Sequence, residues 1–306
     1  MPDSSQRIWT VIPTYDRSQS AIKALSAVFA QTALPAGVIL VDDCSPESIG
    51  EQARRRFGER LTVLRLAHNA GPAAGFAAGI KRAMEAGADW VWLMDDDAWP
   101  LGGALEALAC RPEFSAAETA ALVSLKQDAA GRLQKWEAVG HSRRLRLPDA
   151  ALYLRPVFPV EAAAFAGLLV RAAVVQRAGL PDARYFSWFA DYEFCLRLRR
   201  HGPILCVPGS RVVHEDDASR GTHVVCGHRR PNVPVFLKQC TGLRNRTYYF
   251  SRSPGRVSAL LEAAYRFGRM AGGILLWDDR RAFRLRLLCR AFLDGLRGRL
   301  GPFLSP

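Results

Sequence analysis

The chain has no run of about 18 uninterrupted apolar residues, the length that a membrane-spanning helix requires. Its leading residues, Met1 to Arg7, are polar and offer no apolar signal core. No C-x-x-C pair occurs among the seven cysteines, which stand at 44, 110, 195, 206, 226, 240 and 289. Their odd number and scatter speak against a zinc cage or a disulfide framework and fit reduced thiols in a cytosolic protein. Internal repeats and low-complexity segments are missing as well. With 49% hydrophobic and 23% charged residues the chain has an ordinary soluble composition and can bury a sizeable core. Its 306 residues suit one large α/β domain, or a domain of about 200 residues with a smaller appendage.

Acid is scarce relative to base. The net charge is +13, which implies an anionic partner: nucleic acid, a nucleotide substrate or an anionic membrane surface. Between Arg252 and Arg299 there is no lysine at all, but eleven arginines face four acids (Glu262, Asp278, Asp279, Asp294), a net of +7. Arg266, Arg269, Arg280, Arg281, Arg284, Arg286 and Arg290 alternate there with Leu, Phe and Trp, the composition of a helix drawn to anionic lipid. A solvated face, or packing in a homo-oligomer, is the competing use of those helices. Nucleic acid is not expected, because no recognisable binding motif is present and an acidic sheet edge would repel a phosphate backbone.

The first hundred residues alternate strand and helix patterns. Ile8–Ile12 is a short apolar run halted by Pro13, and a helical pattern follows from Ser18 to Gln31. Val38–Val41 is a second strand ending at Asp42-Asp43, and Ser45-Pro46-Glu47 reads as a helix start with Ser45 as the cap. Leu61–Leu66 is a third strand, Ala73–Ala86 a helix and Trp90–Met94 a fourth strand. Continuous apolar strands separated by helices indicate a parallel sheet covered on both faces. Further on, strands are predicted at Ala120–Lys126, Val160–Val170 and Ile204–Val213, with helices at Arg171–Ala178 and about Phe189–His201. Glu215–Gln239 reads as a long polar loop, and the chain beyond Thr241 as helical.

Ligands of such sheets bind beyond the carboxyl ends of the strands. Three of the four leading strands finish there in polar clusters: Thr14-Tyr15-Asp16-Arg17, Asp42-Asp43 and Asp95-Asp96-Asp97. Three adjacent carboxylates repel one another unless a cation neutralises them, and a hard divalent ion shared with substrate phosphates is the usual solution. The alternative is a solvated acidic turn, which the buried strand WVWLM before the triplet disfavours.

The strings VIPTYDR, VDDCSP, HNAGPAAGFAAGI and WVWLMDDDA resemble the nucleotide-sugar-binding half of family 2 glycosyltransferases. They are most similar to its bacterial galactofuranosyl- and rhamnosyltransferase branch. AFAGLLVRAAVVQRAGLPD, YFSWFADYEFCLRLRRHG and VPGSRVVHED resemble that branch's acceptor region, and a weaker echo persists in RNRTYYFSRS. The resemblance implies a glycosyltransferase A-type, Rossmann-like α/β fold with a mixed central sheet and a C-terminal helical extension. Residues 1–240 would be catalytic, 1–100 holding the donor and 101–240 the acceptor, and 241–306 would be the basic extension.

The resemblance further implies roles residue by residue. Pro13, Thr14, Tyr15 and Arg17 would line the nucleoside, with Asp42 accepting N3–H of uracil or thymine. Asn69, Gly71 and Gly75 match an N-x-G-x-x-x-G loop where missing side chains let backbone approach the nucleotide. Asp95 and Asp96 would lie at the diphosphate, and Asp95, Asp97 and His214 would hold Mn²⁺ or Mg²⁺. Asp191 would be the base of an inverting transfer, with Trp188 and Glu193 beside it at the acceptor. Relatives often carry two acids where Ala190-Asp191 stands, which leaves the acceptor's identity open; capping of the helix by Asp191 is the competing role.

The implied reaction moves a hexosyl group from UDP-galactofuranose or dTDP-rhamnose to a glycan or polyprenyl-linked acceptor in bacterial envelope polysaccharide synthesis. The implied location is cytoplasmic, peripheral on the inner face of the membrane. Two other classes compete. A sugar nucleotidyltransferase would need a glycine-rich basic loop after the first strand, and VIPTYDRSQS has no glycine. A non-catalytic nucleotide- or membrane-binding module would have lost the metal acids or the base, and both are present.

Overall fold

The repeating strand–helix pattern builds a ten-stranded mixed sheet in the order β3-β2-β1-β4-β9-β6-β10-β5, with β7 on β6 and β8 on β10. The strands are β1 (Ile8–Thr14), β2 (Gly37–Asp42), β3 (Leu61–Arg65), β4 (Trp90–Leu93), β5 (Ala98–Pro100), β6 (Ala121–Gln127), β7 (Leu133–Gln134), β8 (Phe158–Val160), β9 (Leu168–Arg171) and β10 (Ile204–His214). The helices among them are α1 (Ser18–Phe29), α2 (Gly50–Phe57), α3 (Pro72–Glu85), α4 (Ala104–Ala109), α5 (Pro112–Ser115), α6 (Ala172–Ala178) and α7 (Ala190–Leu198). The computed structural model describes residues 6–134, 137–139, 147–215, 222–225, 228–252 and 256–303.

Two compact units divide the chain: 1–183 with 191–215, and 184–190 with 216–306. The first unit carries the sheet. β3, β2, β1 and β4 are mutually parallel, as the apolar runs predict. The sheet turns mixed where β9 joins β4 antiparallel and β5 joins β10 antiparallel. In α1 the buried residues are Ala21, Ala24, Leu25 and Val28, a single helical stripe facing the sheet. Trp90 and Trp92 are fully buried in the same core, and Trp90 stacks on Phe114 with ring centroids 5.0 Å apart.

Glycine sets how closely α3 approaches the sheet. A Cβ on Gly79 would stand 2.2 Å from Val11 Cγ1, and one on Gly75 would stand 2.7 Å from Pro13 Cβ. Gly75 therefore serves helix–strand packing. In β10 the register against β6 jumps between Val207 and Arg211, so Pro208, Gly209 and Ser210 stand extra. The Ser210 hydroxyl, fully buried, donates to Ala104 O at 2.7 Å and meets Ser124 Oγ at 2.8 Å, which fixes that bulge.

Three sequence expectations are corrected here. Ser45 does not cap α2, which starts at Gly50; the Ser45 N–H instead donates to Asp42 Oδ1 at 2.9 Å, and its hydroxyl accepts from Asp16 N–H. The predicted strand at 160–170 splits into β8 and β9, because Glu161 N–H donates to Ala138 O and Gly167 takes φ +79°. Apolar periodicity cannot separate a buried crossing segment from a strand. The polar stretch 215–239 is not one loop: it contains the hairpin β11 (Thr222–Val225) and β12 (His228–Pro231), then the start of α8 (Val233–Arg252). Asn232 caps α8 by accepting the Val235 N–H at 2.9 Å, ahead of Pro234.

The second unit is formed by α8, α9 (Arg256–Trp277) and α10 (Arg281–Arg297), around Phe236, Cys240, Leu243, Ile274, Leu287, Leu288 and Ala291. The expected domain boundary after residue 240 falls inside α8. Arg284, one of the arginines read as interfacial, is buried: it donates to Asp279 Oδ1 and to Pro231 O. Among the described residues no helix is long and apolar enough to cross a membrane.

Candidate metal and nucleotide-sugar site

Parallel pairing of β1 with β4 sets the exits of both strands side by side, with Met94 N–H donating to Val11 O at 3.0 Å. The Thr14 hydroxyl therefore reaches Asp96 Oδ2 at 2.8 Å. Arg17, just ahead of α1, donates from Nη1 to Asp97 Oδ2 at 2.7 Å and to Asp96 Oδ1 at 3.4 Å. Arg17 thus holds the acidic triplet at the exits of β1 and β4.

Immediately after the triplet, β5 pairs antiparallel with the end of β10, aligning His214 with Ala98. The Glu215 N–H donates to Asp97 O at 3.0 Å and fixes that register. His214 Nε2 consequently lies 3.4 Å from Asp97 Oδ1 and 3.9 Å from Asp95 Oδ2. One ligand atom from each of Asp95, Asp97 and His214 falls within 4.8 Å of the others. Two carboxylates and an imidazole suit a divalent ion of the Mn²⁺ or Mg²⁺ class. Burial, then Asp97, Asp96 and Asp191, push the Asp95 carboxyl well above the usual range. Burial also lifts Asp96 to about 6 against the opposing pull of Thr14 and Arg17. Such crowding is what a bound dication relieves, so the residues fit one.

At the end of β2, Asp42 is fully buried and both its oxygens are engaged, one by Ser45 N–H and the other by the Arg65 guanidinium. Asp43, its neighbour, shapes the next loop: its oxygens accept the Ala70 and Gly71 N–H groups, each at 2.8 Å. Asn69 Oδ1 also accepts from Gly71 N–H at 3.2 Å. Gly71 has φ +85°, which only glycine adopts readily, and α3 follows at once with Pro72 in its first turn. Asp16 (φ +53°) and Cys44 (φ +62°) are left-handed non-glycine residues at the strand exits, a strain that clusters at functional sites. Tyr15 is exposed, while Pro13 lies buried under Gly75.

Asp191 stands in the first turn of α7, where burial lifts its carboxyl to about 6 despite the Tyr192 N–H donating to Oδ1 at 2.8 Å. Its charge is among those that raise Asp95, so the two share one electrostatic environment. Below them is an ion pair that the sequence reading passed over. Lys126 and Glu137, both fully buried, meet at 3.2 Å, and Tyr153 donates to the second Glu137 oxygen at 3.3 Å. The Lys126 ammonium draws down both Asp95 and Asp191.

Glu193 is engaged within its own helix. Both its oxygens hold Arg197, at 2.6 and 2.9 Å, and that guanidinium also binds the carbonyls of Ala178, Gly179 and Leu180. The pair secures α7 to the end of α6. Trp188 belongs to the second unit, where it is 47% exposed with φ +42° and packs over Gly242. Asn245, fully buried, donates from Nδ2 to the carbonyls of Tyr185, Ser187 and Trp188 at 3.0, 2.7 and 2.7 Å. That grip holds three left-handed residues, Phe186, Trp188 and Phe189, in place.

The family model "Glycosyl transferase family 2" matches residues 9–172. The chain is 31% identical over 273 residues to galactofuranosyltransferase GlfT1 of Mycobacterium tuberculosis, covering 86% of this chain and 88% of that one. Among solved structures it resembles S. aureus TarS 1–349 in complex with UDP-GlcNAc, with TM-score 0.59 and 15% identity over 96% of this chain and 82% of that one. It also resembles mannosyltransferase PcManGT from Pyrobaculum calidifontis in complex with GDP-Man and Mn²⁺, with TM-score 0.53 and 15% identity over 97% and 77% of the two chains. These likenesses confirm the glycosyltransferase A-type fold.

Proposed function

Glycosyltransferase family 2 is the family to which this chain belongs, and from that premise we propose an inverting, divalent-metal-dependent hexosyl transfer from a nucleotide-diphosphate sugar. The observation that carries the reading is the convergence of Asp95, Asp97 and His214 on one point at the strand exits. Likeness to a galactofuranosyltransferase favours UDP-galactofuranose over dTDP-rhamnose as the donor. The acceptor is a hydroxyl of a glycan or polyprenyl-linked glycan in envelope polysaccharide synthesis. The first unit acts in catalysis, and the basic helices α8, α9 and α10 serve as an extension at the inner membrane face.

Asp43 and Asn69 hold the 69–71 loop in shape at the nucleotide, while the Asp42–Arg65 pair forms the floor beside it. Asp95, Asp97 and His214 hold Mn²⁺ or Mg²⁺, which when bound neutralises charge gathering on the departing nucleoside diphosphate. Asp191 takes the proton of the attacking hydroxyl as the new carbon–oxygen bond forms and the bond to the diphosphate oxygen breaks. A carboxyl at about 6 is ionised at neutral pH, yet more basic than an exposed aspartate. Lys126 stays in the floor of the site and, after the backbone N–H groups, helps to hold Asp191 ionised against its burial.

The test is a transfer assay with UDP-galactofuranose and dTDP-rhamnose after exhaustive EDTA treatment, with Mn²⁺ or Mg²⁺ then restored. Chelation abolishes turnover and the metal returns it. Undiminished turnover without metal removes Asp95, Asp97 and His214 from these roles.

A further inference from the structure

The second unit holds a cavity of about 580 Å³ whose walls carry Arg244, Arg286, Arg290, Arg297 and Arg299 against a single carboxylate, Asp294. Four of these arginines are on the surface, but Arg244 is not: it is 2% exposed, in the middle of α8. Its Nε donates to Asn245 Oδ1 at 2.9 Å, while its buried Nη2 has no hydrogen-bond partner among the described residues. A buried guanidinium N–H left unpaired is a costly arrangement, so its persistence points to a missing acceptor.

The surroundings keep the charge in place without satisfying it. The Phe303 ring, itself buried, lies 5.5 Å from the Arg244 guanidinium and 5.8 Å from that of Arg290, so two like charges share one aromatic ring. Asp294 is turned toward Arg290, at 3.5 Å. A Cβ on Gly295 would stand 2.6 Å from Arg244 O, so α10 is pressed against α8 at this level. Burial, with Arg290 adding to it against Asp294, brings Arg244 down to about 10, so it remains charged at neutral pH.

We infer that this cavity binds a phosphate group, a phosphomonoester or diphosphate, with Arg244 as the buried anchor and Arg286, Arg290, Arg297 and Arg299 as the rim. Guanidinium forks match phosphate oxygens in pairs, and a doubly charged anion satisfies several of them together. The volume exceeds a bare phosphate, so the rest of the ligand occupies the remaining space. Two sources carry this chemistry: a soluble phosphate ester and a lipid headgroup. The site goes beyond the transfer reaction, since every one of its residues lies in the second unit.

The full-length chain is titrated with inorganic pyrophosphate in EDTA, which strips the divalent ion that a diphosphate at the donor site would share. Affinity is read by calorimetry and melting temperature. Arg244→Gln and the surface double variant Arg286→Gln/Arg297→Gln each weaken pyrophosphate by about 10-fold or more; the double variant covers the event that Arg244→Gln does not fold. Phosphatidylcholine vesicles with and without phosphatidic acid then separate the sources. Capture by phosphatidic acid that pyrophosphate displaces and the double variant loses assigns the site to a headgroup. Pyrophosphate binding without vesicle capture assigns it to a soluble ester. No pyrophosphate binding at millimolar concentration, or equal affinity in wild type and double variant, overturns the proposal.

Discussion

The two units solve opposite electrostatic problems. In the first, burial raises the carboxyls of Asp95, Asp96 and Asp191. In the second, arginines converge, and one of them is buried with a donor to spare. Their surfaces differ as well: Leu261, Tyr265, Leu275, Leu276 and Phe283 of α9 and α10 are exposed, a density of large apolar side chains that the first unit does not have. Mutual repulsion in either unit costs stability unless a counter-charge arrives. The difference teaches that net charge alone misleads: a chain of +13 still gathers Asp95, Asp97 and His214 at one point fit for a cation.

The sharpest way to break that comparison is at Asp191. Asp191→Asn keeps the size of the side chain and the acceptor for Tyr192 N–H but cannot take a proton. Turnover falls by about two to four orders of magnitude, or roughly 3–5 kcal/mol of transition-state stabilisation, while donor affinity measured by calorimetry is unchanged. A capping role predicts retained turnover with a lower melting temperature instead.

Stability should be hit hardest at Lys126. Lys126→Met leaves Glu137 buried and unpaired, at a cost of about 3–5 kcal/mol by denaturant unfolding, and adding Glu137→Leu recovers most of it. The single variant also moves the acid limb of kcat/KM upward, because the ammonium that draws Asp191 down is gone. An unmoved limb would detach the pair from the reaction.

Packing gives a smaller, paired effect. Gly79→Ala in the first unit drives a methyl into Val11, and Gly295→Ala in the second drives one into the Arg244 carbonyl. Each costs about 1–3 kcal/mol. Donor protection against heat should suffer only with Gly79→Ala if the units are energetically separable.

The mildest test is pH. Asp191 has a folded pKa of about 6, above its ordinary value of 3.8, so the folded state favours the protonated form. The stability it contributes is present near pH 4 and is lost as pH rises through 6. Asp191→Asn should then melt like wild type near pH 4 and above it at pH 7 and higher, the reverse of its effect on activity. In wild type, kcat/KM rises with pH through an ascending limb near 6. Melting curves and rate profiles across that range check both signs.

Much of this was legible because the informative residues are contiguous with the strands that position them. WVWLM followed by three aspartates announces both a buried strand and the acids at its exit, and VVH announces the imidazole. What escaped acts across long separations. Lys126 in ALVSLKQ looks like a surface lysine, and only the fold buries it against Glu137. Asp43 and Arg65 become meaningful once β2, β3 and the 69–71 loop are side by side. Asn245 is one polar residue of RNRTYYFSRS with no stated role until the carbonyls of Tyr185, Ser187 and Trp188 arrive. Gly75 lies against Pro13, and a glycine pattern alone does not say which atoms come close.

The bulge in β10 makes the imidazole's position a matter of parity. His214 is ten residues after Ile204, and strict alternation would set both on the same face of the sheet. Three extra residues invert that count, so His214 faces the side opposite to Ile204. Loops usually absorb insertions and deletions freely, but the stretch 208–210 behaves like a reading frame. Losing or gaining one residue there would turn the imidazole through the sheet, while the removal or addition of two would return it. Length variation in this short segment is thus permitted only in steps of two, however tolerant its individual side chains are to change.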